Sequence, residues 1–418
     1  MSSVNDRERW RVVIGGIICQ FCAGMLYSWS IYVNPLLDKY PAWTRTGVSF
    51  TFSITTLLIP ILMIPAGRRM DREGPRKVAM MGAGFLTAGL LISSFANSIP
   101  MLYIGYGVLN GFGVGHIYGV PIATCARWFP DKKGFISGMS VAGFGMGSII
   151  FSPIGRSLID KFGDPQPVFR VQAIITIIGM IIGSSLLKPA PEGYRPPGWN
   201  PPEAAAGSVG NHEYTSGEMI KTKPYWILLI TYMIANIAGL TIIGHASPIA
   251  QEVASLTPEA AAVTVSALAI ANLLGRFAGG SGADKIGAKN VITILFVVNT
   301  VLLLLMSRFT TRGLITLGIC GMGACFGATM GTYPSIIADY FGLKYYSTNY
   351  AFLHLGYGFG GIIGNVMAAA SISKAAATPG MGTYTLCFII MGISTIVGIV
   401  MSRTTKAPVY NEKKAIEG

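Results

Sequence analysis

The sequence predicts an all-α membrane protein of twelve transmembrane helices in two pseudo-symmetric six-helix bundles, and three observations predict it. Apolar residues are strung into runs of about 20, the length that crosses a bilayer core, in a chain of 418 residues that is 51% hydrophobic and only 12% charged. One long polar stretch divides those runs six and six. The residues on either side of it match one another at a nearly constant shift.

In chain order, the first run opens near Val12 and continues to about Leu37 with no small-residue cleavage site behind a short core, so it reads as a retained helix rather than a signal peptide. Five more open near Ser49, Val78, Met101, Ser137 and Val168. The stretch from Lys188 to about Thr222 contains "KPAPEGYRPPGWNPPEAAAG", a linker composition. Six further runs open near Trp226, Ala260, Val291, Leu314, Tyr350 and Tyr384, and the tail "NEKKAIEG" reads as a solvated end. The predicted division is an N-terminal bundle over 1–188, a cytoplasmic central loop over 189–222, and a C-terminal bundle with tail over 223–418.

The net charge of +13 raises the question of nucleic acid, and its distribution answers it. With a cytoplasmic N-terminus and alternating helices, 22 Lys and Arg fall on the cytoplasmic side, 8 outside, and Arg276 alone within a span. The positive-inside rule accounts for that excess with both termini cytoplasmic, and no nucleic-acid partner is required. The six cysteines, Cys19, Cys22, Cys125, Cys320, Cys325 and Cys387, all lie in or beside predicted helices and read as small apolar residues. No disulfide, metal or cofactor is expected.

The halves repeat at a shift of 213 residues, the self-similarity that a duplicated six-helix scaffold leaves. Asn34-Pro35 aligns with Ser247-Pro248, "GRRMDREGPRK" from Gly67 with "GSGADKIGAKN" from Gly280, and Pro121 with Pro334; "ARWFP" and "ADYFG" align with one slip. Within the loops, Gly67, Asp71, Arg72 and Gly74 stand opposite Gly280, Asp284, Lys285 and Gly287. Glycines permit a tight turn, an acid suits the positive end of the next helix, and basic residues suit anionic headgroups.

These paired loops, the two six-helix halves and the long central loop resemble the major facilitator superfamily of secondary transporters. "YSWSIYVNPL", "RWFPDKKGFISG" and "SGEMIKTKPYWILL" are similar to the branch of oxalate/formate antiporters and related monocarboxylate carriers. The resemblance implies transport by alternating access in a plasma (inner) membrane, by a monomer in the lipid bilayer, with a small carboxylate and in some members H+ as partners.

Arg276 is the anomaly in this pattern. It sits eight residues before Asp284, about 12 Å along a helix from the cytoplasmic loop. Its counterpart in the first half is Met63, so the charge is no part of the duplicated scaffold. No Asp or Glu occupies the central part of any span; the nearest, Asp339, belongs to a helix end. A cation this costly at mid-membrane is a site by default, and the planar donor fork of a guanidinium matches a carboxylate. Asn272, one turn earlier, shares its face, either to touch substrate, to orient the arginine, or only to join helices.

The resemblance implies a cavity lined by helices 1, 4, 5, 7, 8, 10 and 11. Residue by residue it points to Leu26 and Tyr27, Tyr118, Phe144, Phe326 and Met330, and His354 and Tyr357; for each, plain packing is the competing account. Where the antiporters carry a second cation on helix 11, this chain has Tyr357. One cation suits a monoanion, so lactate, pyruvate, acetate or formate is expected over oxalate.

Coupling is divided in the sequence. Many monocarboxylate carriers place an aspartate four residues before the helix-8 arginine to take a proton with the substrate; Asn272 fills that place here, which favours anion exchange. His354 and His245 are residues that titrate near neutral pH, and with the monoanion argument they favour proton symport. The expectation is symport, with exchange as the alternative and a transporter-like sensor as a third reading. "NGFGVGHIYG" follows no strand, so it reads as small-residue helix packing rather than phosphate binding, as do "GFGMG" and "GYGFGG". No catalytic constellation of the enzyme type is visible, and an enzyme is not expected.

Overall fold

The computed structural model describes residues 6–191, 194–196, 212–309, 311–377 and 382–408. Among them every regular element is helical. Much of the polar linker, 197–211, and the tail, 409–418, lie outside the described residues. The chain divides into two compact units, Met1–Phe129 with Met139–Tyr194, and Pro130–Gly138 with Arg195–Gly418.

In the first unit, α1 (Asp6–Gly24) passes through a 3-10 turn, Met25–Trp29, into α2 (Ser30–Lys39). Next come α3 (Arg45–Glu73), α4 (Pro75–Ser93), and α5 (Ile99–Leu102), which a π-helical segment joins to α6 (Asn110–Trp128). Two long helices follow, α7 (Lys133–Phe162), whose first residues up to Gly138 belong to the second unit, and α8 (Gln166–Leu186). Sequence chemistry sets the ends: the Thr44 hydroxyl accepts from Gly47 N–H at the start of α3, and Gly74 takes φ +85° between α3 and α4, where a side chain would be strained. Glycines set the packing. A Cβ on Gly24 would lie 1.7 Å from the Phe144 carbonyl oxygen, and one on Gly147 2.4 Å from that of Phe21, so α1 and α7 meet backbone to backbone. Gly82, Gly89 and Gly113 do the same for the α4 face of "NGFGVGHIYG".

The second unit begins with α9 (Ser216–Met219), opened by a capping box between Thr215 and Glu218. It continues with α10 (Lys223–Ala254), α11 (Pro258–Ile286), α12 (Ala288–Met306), α13 (Arg312–Phe341), α14 (Tyr346–Ala377) and α15 (Thr385–Thr404). Thr222 and Thr257 cap α10 and α11, each followed by proline in the first turn, where the missing N–H costs nothing. Gly287, at φ +84°, is the partner of Gly74 at the 213-residue shift and caps the equivalent junction. A core of Ile242, Ile249, Leu303, Ile319, Phe388 and Met391 ties α10, α12, α13 and α15 together.

Among the described residues, ten helical segments are long and apolar enough to cross a membrane. With α4, which opens on charged Arg76 and Lys77, and the glycine-rich α5–α6 segment, they complete the twelve-helix architecture. The helices start up to six residues before the apolar runs, as at Asp6 rather than Val12, because polar residues prolong them past the apolar stretch. The six cysteines carry no disulfide, and all but the half-buried Cys320 are buried.

Candidate functional site

Arg276 lies within α11 with 2% of its surface exposed, and its Nε donates to Oδ1 of Asn272 at 3.0 Å. The spacing of four residues places both on one helical face. What surrounds this turn is mostly glycine. Ideal Cβ atoms on Gly275 and Gly279 would lie 2.1 and 2.2 Å from the carbonyl oxygens of Ala324 and Ala328 on α13. From α13, those of Gly327 and Gly331 would lie 1.9 and 2.3 Å from the carbonyl oxygens of Asn272 and Arg276. The repeats Gly275-x-x-x-Gly279 and Gly323-x-x-x-Gly327-x-x-x-Gly331 therefore bring two helix backbones into contact at the level of the charge. Gly138, in the part of α7 that belongs to this unit, approaches the Arg276 carbonyl in the same way, with 2.5 Å for its Cβ. The arginine thus projects from a backbone clamped on two sides, which limits the conformations it can sample.

Beside these glycines, α13 carries Phe326 and Met330, both buried. The Met330 sulfur lies 3.4 Å from the Tyr232 hydroxyl of α10, which is 3.1 Å from Nδ1 of His354 on α14. The His354 ring stacks on Tyr357, at 4.8 Å and 10° between planes, and faces Tyr350 at 5.5 Å. Gly239 on α10 makes room for the Phe326 ring, since a Cβ there would lie 2.1 Å from it. The second unit thus links Met330, His354 and Tyr357 through Tyr232, while α13, which carries Phe326 and Met330, packs by its glycines against the turn of α11 that carries Asn272 and Arg276. His245 stands apart: its Nδ1 meets the Thr241 carbonyl of its own helix at 3.1 Å, and its ring faces Tyr384. Thirteen residues separate it from Tyr232, about 20 Å of helix.

Within the first unit, Phe144 is the centre of the other predicted group. Tyr27 and Tyr118 meet it edge-on, at 5.0 Å and 83° and at 5.1 Å and 85°, the arrangement aromatic quadrupoles favour. Leu26 is buried beside them, and its carbonyl accepts from the Tyr106 hydroxyl at 3.1 Å. Gln20, buried on α1, donates from Nε2 to the Tyr118 carbonyl at 3.0 Å and fixes that stretch of α6.

The duplicated loops have different partners. Asp71 accepts from Arg127 at 2.7 Å within the first unit, whereas the Asp284 oxygens accept the N–H groups of Gly134 and Phe135, at 2.8 and 2.7 Å, and cap the start of α7. Arg72 and Lys285, in the last turns of their helices, are exposed; Gly67 is buried near the end of α3 and Gly280 abuts Gly134.

Sequence reasoning missed Tyr232. The available signal was the pair Tyr232 and Asn236, polar residues one turn apart in an otherwise apolar run; Asn236 Nδ2 donates to the Tyr232 carbonyl at 2.7 Å. It also passed over the four-residue glycine spacing of α11 and α13. Among the described residues no group of three or more His, Cys, Asp or Glu is arranged to hold a metal.

The Major Facilitator Superfamily model matches residues 16–365 and, in an overlapping second match, 246–418. The MFS-type transporter YhjX of Escherichia coli is 32% identical over 359 residues, covering 85% of this chain and 87% of that one. The oxalate:formate antiporter of Oxalobacter formigenes is 28% identical over 419 residues, covering 98% and 96%. The crystal structure of the Escherichia coli fucose:proton symporter FucP matches with a TM-score of 0.70 at 15% identity, over 95% of this chain and all of that one, a likeness of fold alone.

Proposed function

The chain belongs to the major facilitator superfamily and is a multi-pass integral membrane transporter; from that premise we propose that it carries a small monocarboxylate by alternating access, coupled to proton symport. The observation that supports this reading best is the buried guanidinium of Arg276, held at Nε by Asn272 on a helix clamped by glycine contacts. A cation so fixed is preorganised for a carboxylate, whose two oxygens match parallel N–H donors. Tyr357, where the antiporters carry a lysine, leaves one fixed cation in the proposed set and favours a monoanion. The substrate class is lactate, pyruvate, acetate or formate. Within the second unit Phe326 and Met330 shape its surroundings, and His354 carries the coupled proton.

One observation favours exchange instead. The residue engaging Arg276 at the place where proton-coupled carriers keep an aspartate is a neutral amide, and one relative bears the name oxalate:formate antiporter. Proteoliposomes decide both points. Uptake of labelled monocarboxylate into empty vesicles, driven by an inward proton gradient, supports symport; uptake only into anion-preloaded vesicles supports exchange. Near-normal uptake by a folded Arg276→Ala variant would overturn the site assignment.

A further inference from the structure

We propose that the start of α12 and the end of α15 together seat the anionic headgroup of a membrane phospholipid. Three cations converge there. Lys289 is the second residue of α12, and its Nζ donates to the carbonyl of Thr405, the residue that ends α15, at 2.7 Å. Arg403 lies in the last turn of α15 and Lys406 just beyond it; both are exposed, and both repel the Lys289 charge. Among the described residues no carboxylate lies within ion-pair distance of any of the three. A lysine in the first turn of a helix also opposes the helix dipole, and the Gly287 cap supplies no side-chain acceptor there. Like charges gathered at an unfavourable place are relieved by an anion with several oxygens, as phosphate provides.

The faces leading away from this cluster suit lipid rather than a free anion. The two helices are joined along their length by buried hydroxyl pairs, Thr293 with Ser402 at 3.0 Å and Thr300 with Thr395 at 2.8 Å, and by Gly398 against Phe296. Their outward ridges are aliphatic and exposed: Ile294, Val297 and Val301 on α12, and Ile393, Val397 and Val400 on α15. A phosphodiester held at the cations has its acyl chains beside those ridges. The described residues of the first unit do not repeat this arrangement. Arg76 is the counterpart of Lys289, but Lys188, beyond the end of α8, is paired with Glu8 at 3.0 Å.

The test uses the full-length protein in detergent, offered phosphatidylglycerol or phosphatidylcholine of one acyl composition, with retained lipid counted by native mass spectrometry. The expected result is a preference for phosphatidylglycerol of about tenfold or more, falling below about twofold when Lys289→Gln, Arg403→Gln and Lys406→Gln are combined. The charge-preserving set Lys289→Arg, Arg403→Lys and Lys406→Arg is expected to keep the preference, which separates lost charge from lost folding. Equal retention of the two lipids by the unsubstituted protein would overturn the proposal, as would an unchanged preference in the glutamine set. Displacement of phosphatidylglycerol by millimolar inorganic phosphate would reassign the seat to a free anion and overturn the lipid assignment.

Discussion

Asn272 accepts from Nε of Arg276 at 3.0 Å, one helical turn away, so an amide rather than an acid orients the buried cation. Exchanging that amide for a carboxylate isolates its role. In Asn272→Asp the hydrogen bond becomes an ion pair, roughly twice as strong, and the new charge competes with any arriving anion. Monocarboxylate uptake by this variant is expected to show a KM raised about tenfold at neutral pH and recovering on acidification. Proteoliposome uptake across a pH series measures it, and an unchanged KM at every pH would remove Asn272 from the site.

The glycine contacts around the same turn give a second expectation. Gly327→Ala and Gly331→Ala each drive a methyl group into a backbone carbonyl of α11, and backbone yields less readily than a side-chain tip. Overpacking of this kind costs about 1–3 kcal/mol. Both variants are expected to melt at lower temperature and to lose uptake. Gly313→Ala, at the start of the same helix with nothing near its Cβ, is the control and is expected to leave both unchanged.

Asp284 supports a third expectation because each of its oxygens satisfies one N–H at the start of α7. Asp284→Ala leaves both donors without that acceptor and is expected to cost about 1–2 kcal/mol. Asp284→Asn keeps one acceptor oxygen and is expected to fall between. Thermal unfolding of the three proteins in one detergent ranks them.

Tyr232→Phe removes a single oxygen between Met330 and His354 while keeping the ring. If His354 carries the proton, losing its Nδ1 partner is expected to move the pH profile of uptake, whereas His245→Gln, remote from that contact, is expected to leave the profile in place. A pH profile unchanged in Tyr232→Phe but moved in His245→Gln would exchange the two assignments.

Much of this architecture was legible in the chain because membrane helices announce themselves. Lipid admits only long apolar segments, so runs such as the one opening near Val291 were visible from composition, and the 213-residue shift exposed the common origin of the Gly74 and Gly287 turns. The ends were less legible, since Asp6 to Arg11, charged at every position but Trp10, prolong α1 ahead of the apolar run. Within the candidate site, Arg276 stood out by charge and Asn272 by its spacing from it. Tyr232 did not, because a tyrosine in an apolar helix is ordinary until a histidine 122 residues away is seen to meet its hydroxyl. The glycines of α11 and α13 were equally silent: a missing side chain carries meaning only once the facing backbone is known.

The six cysteines have a practical consequence. None is disulfide-bonded, and the five buried ones sit in helices packed by neighbouring side chains. Water-soluble maleimides have little to react with in the native chain, apart from the half-buried Cys320. A thiol engineered at a loop or cavity position would report its own exposure to either bathing solution against a quiet background. Single-site labelling can thus follow the carrier through its cycle after at most one preparatory exchange, at Cys320.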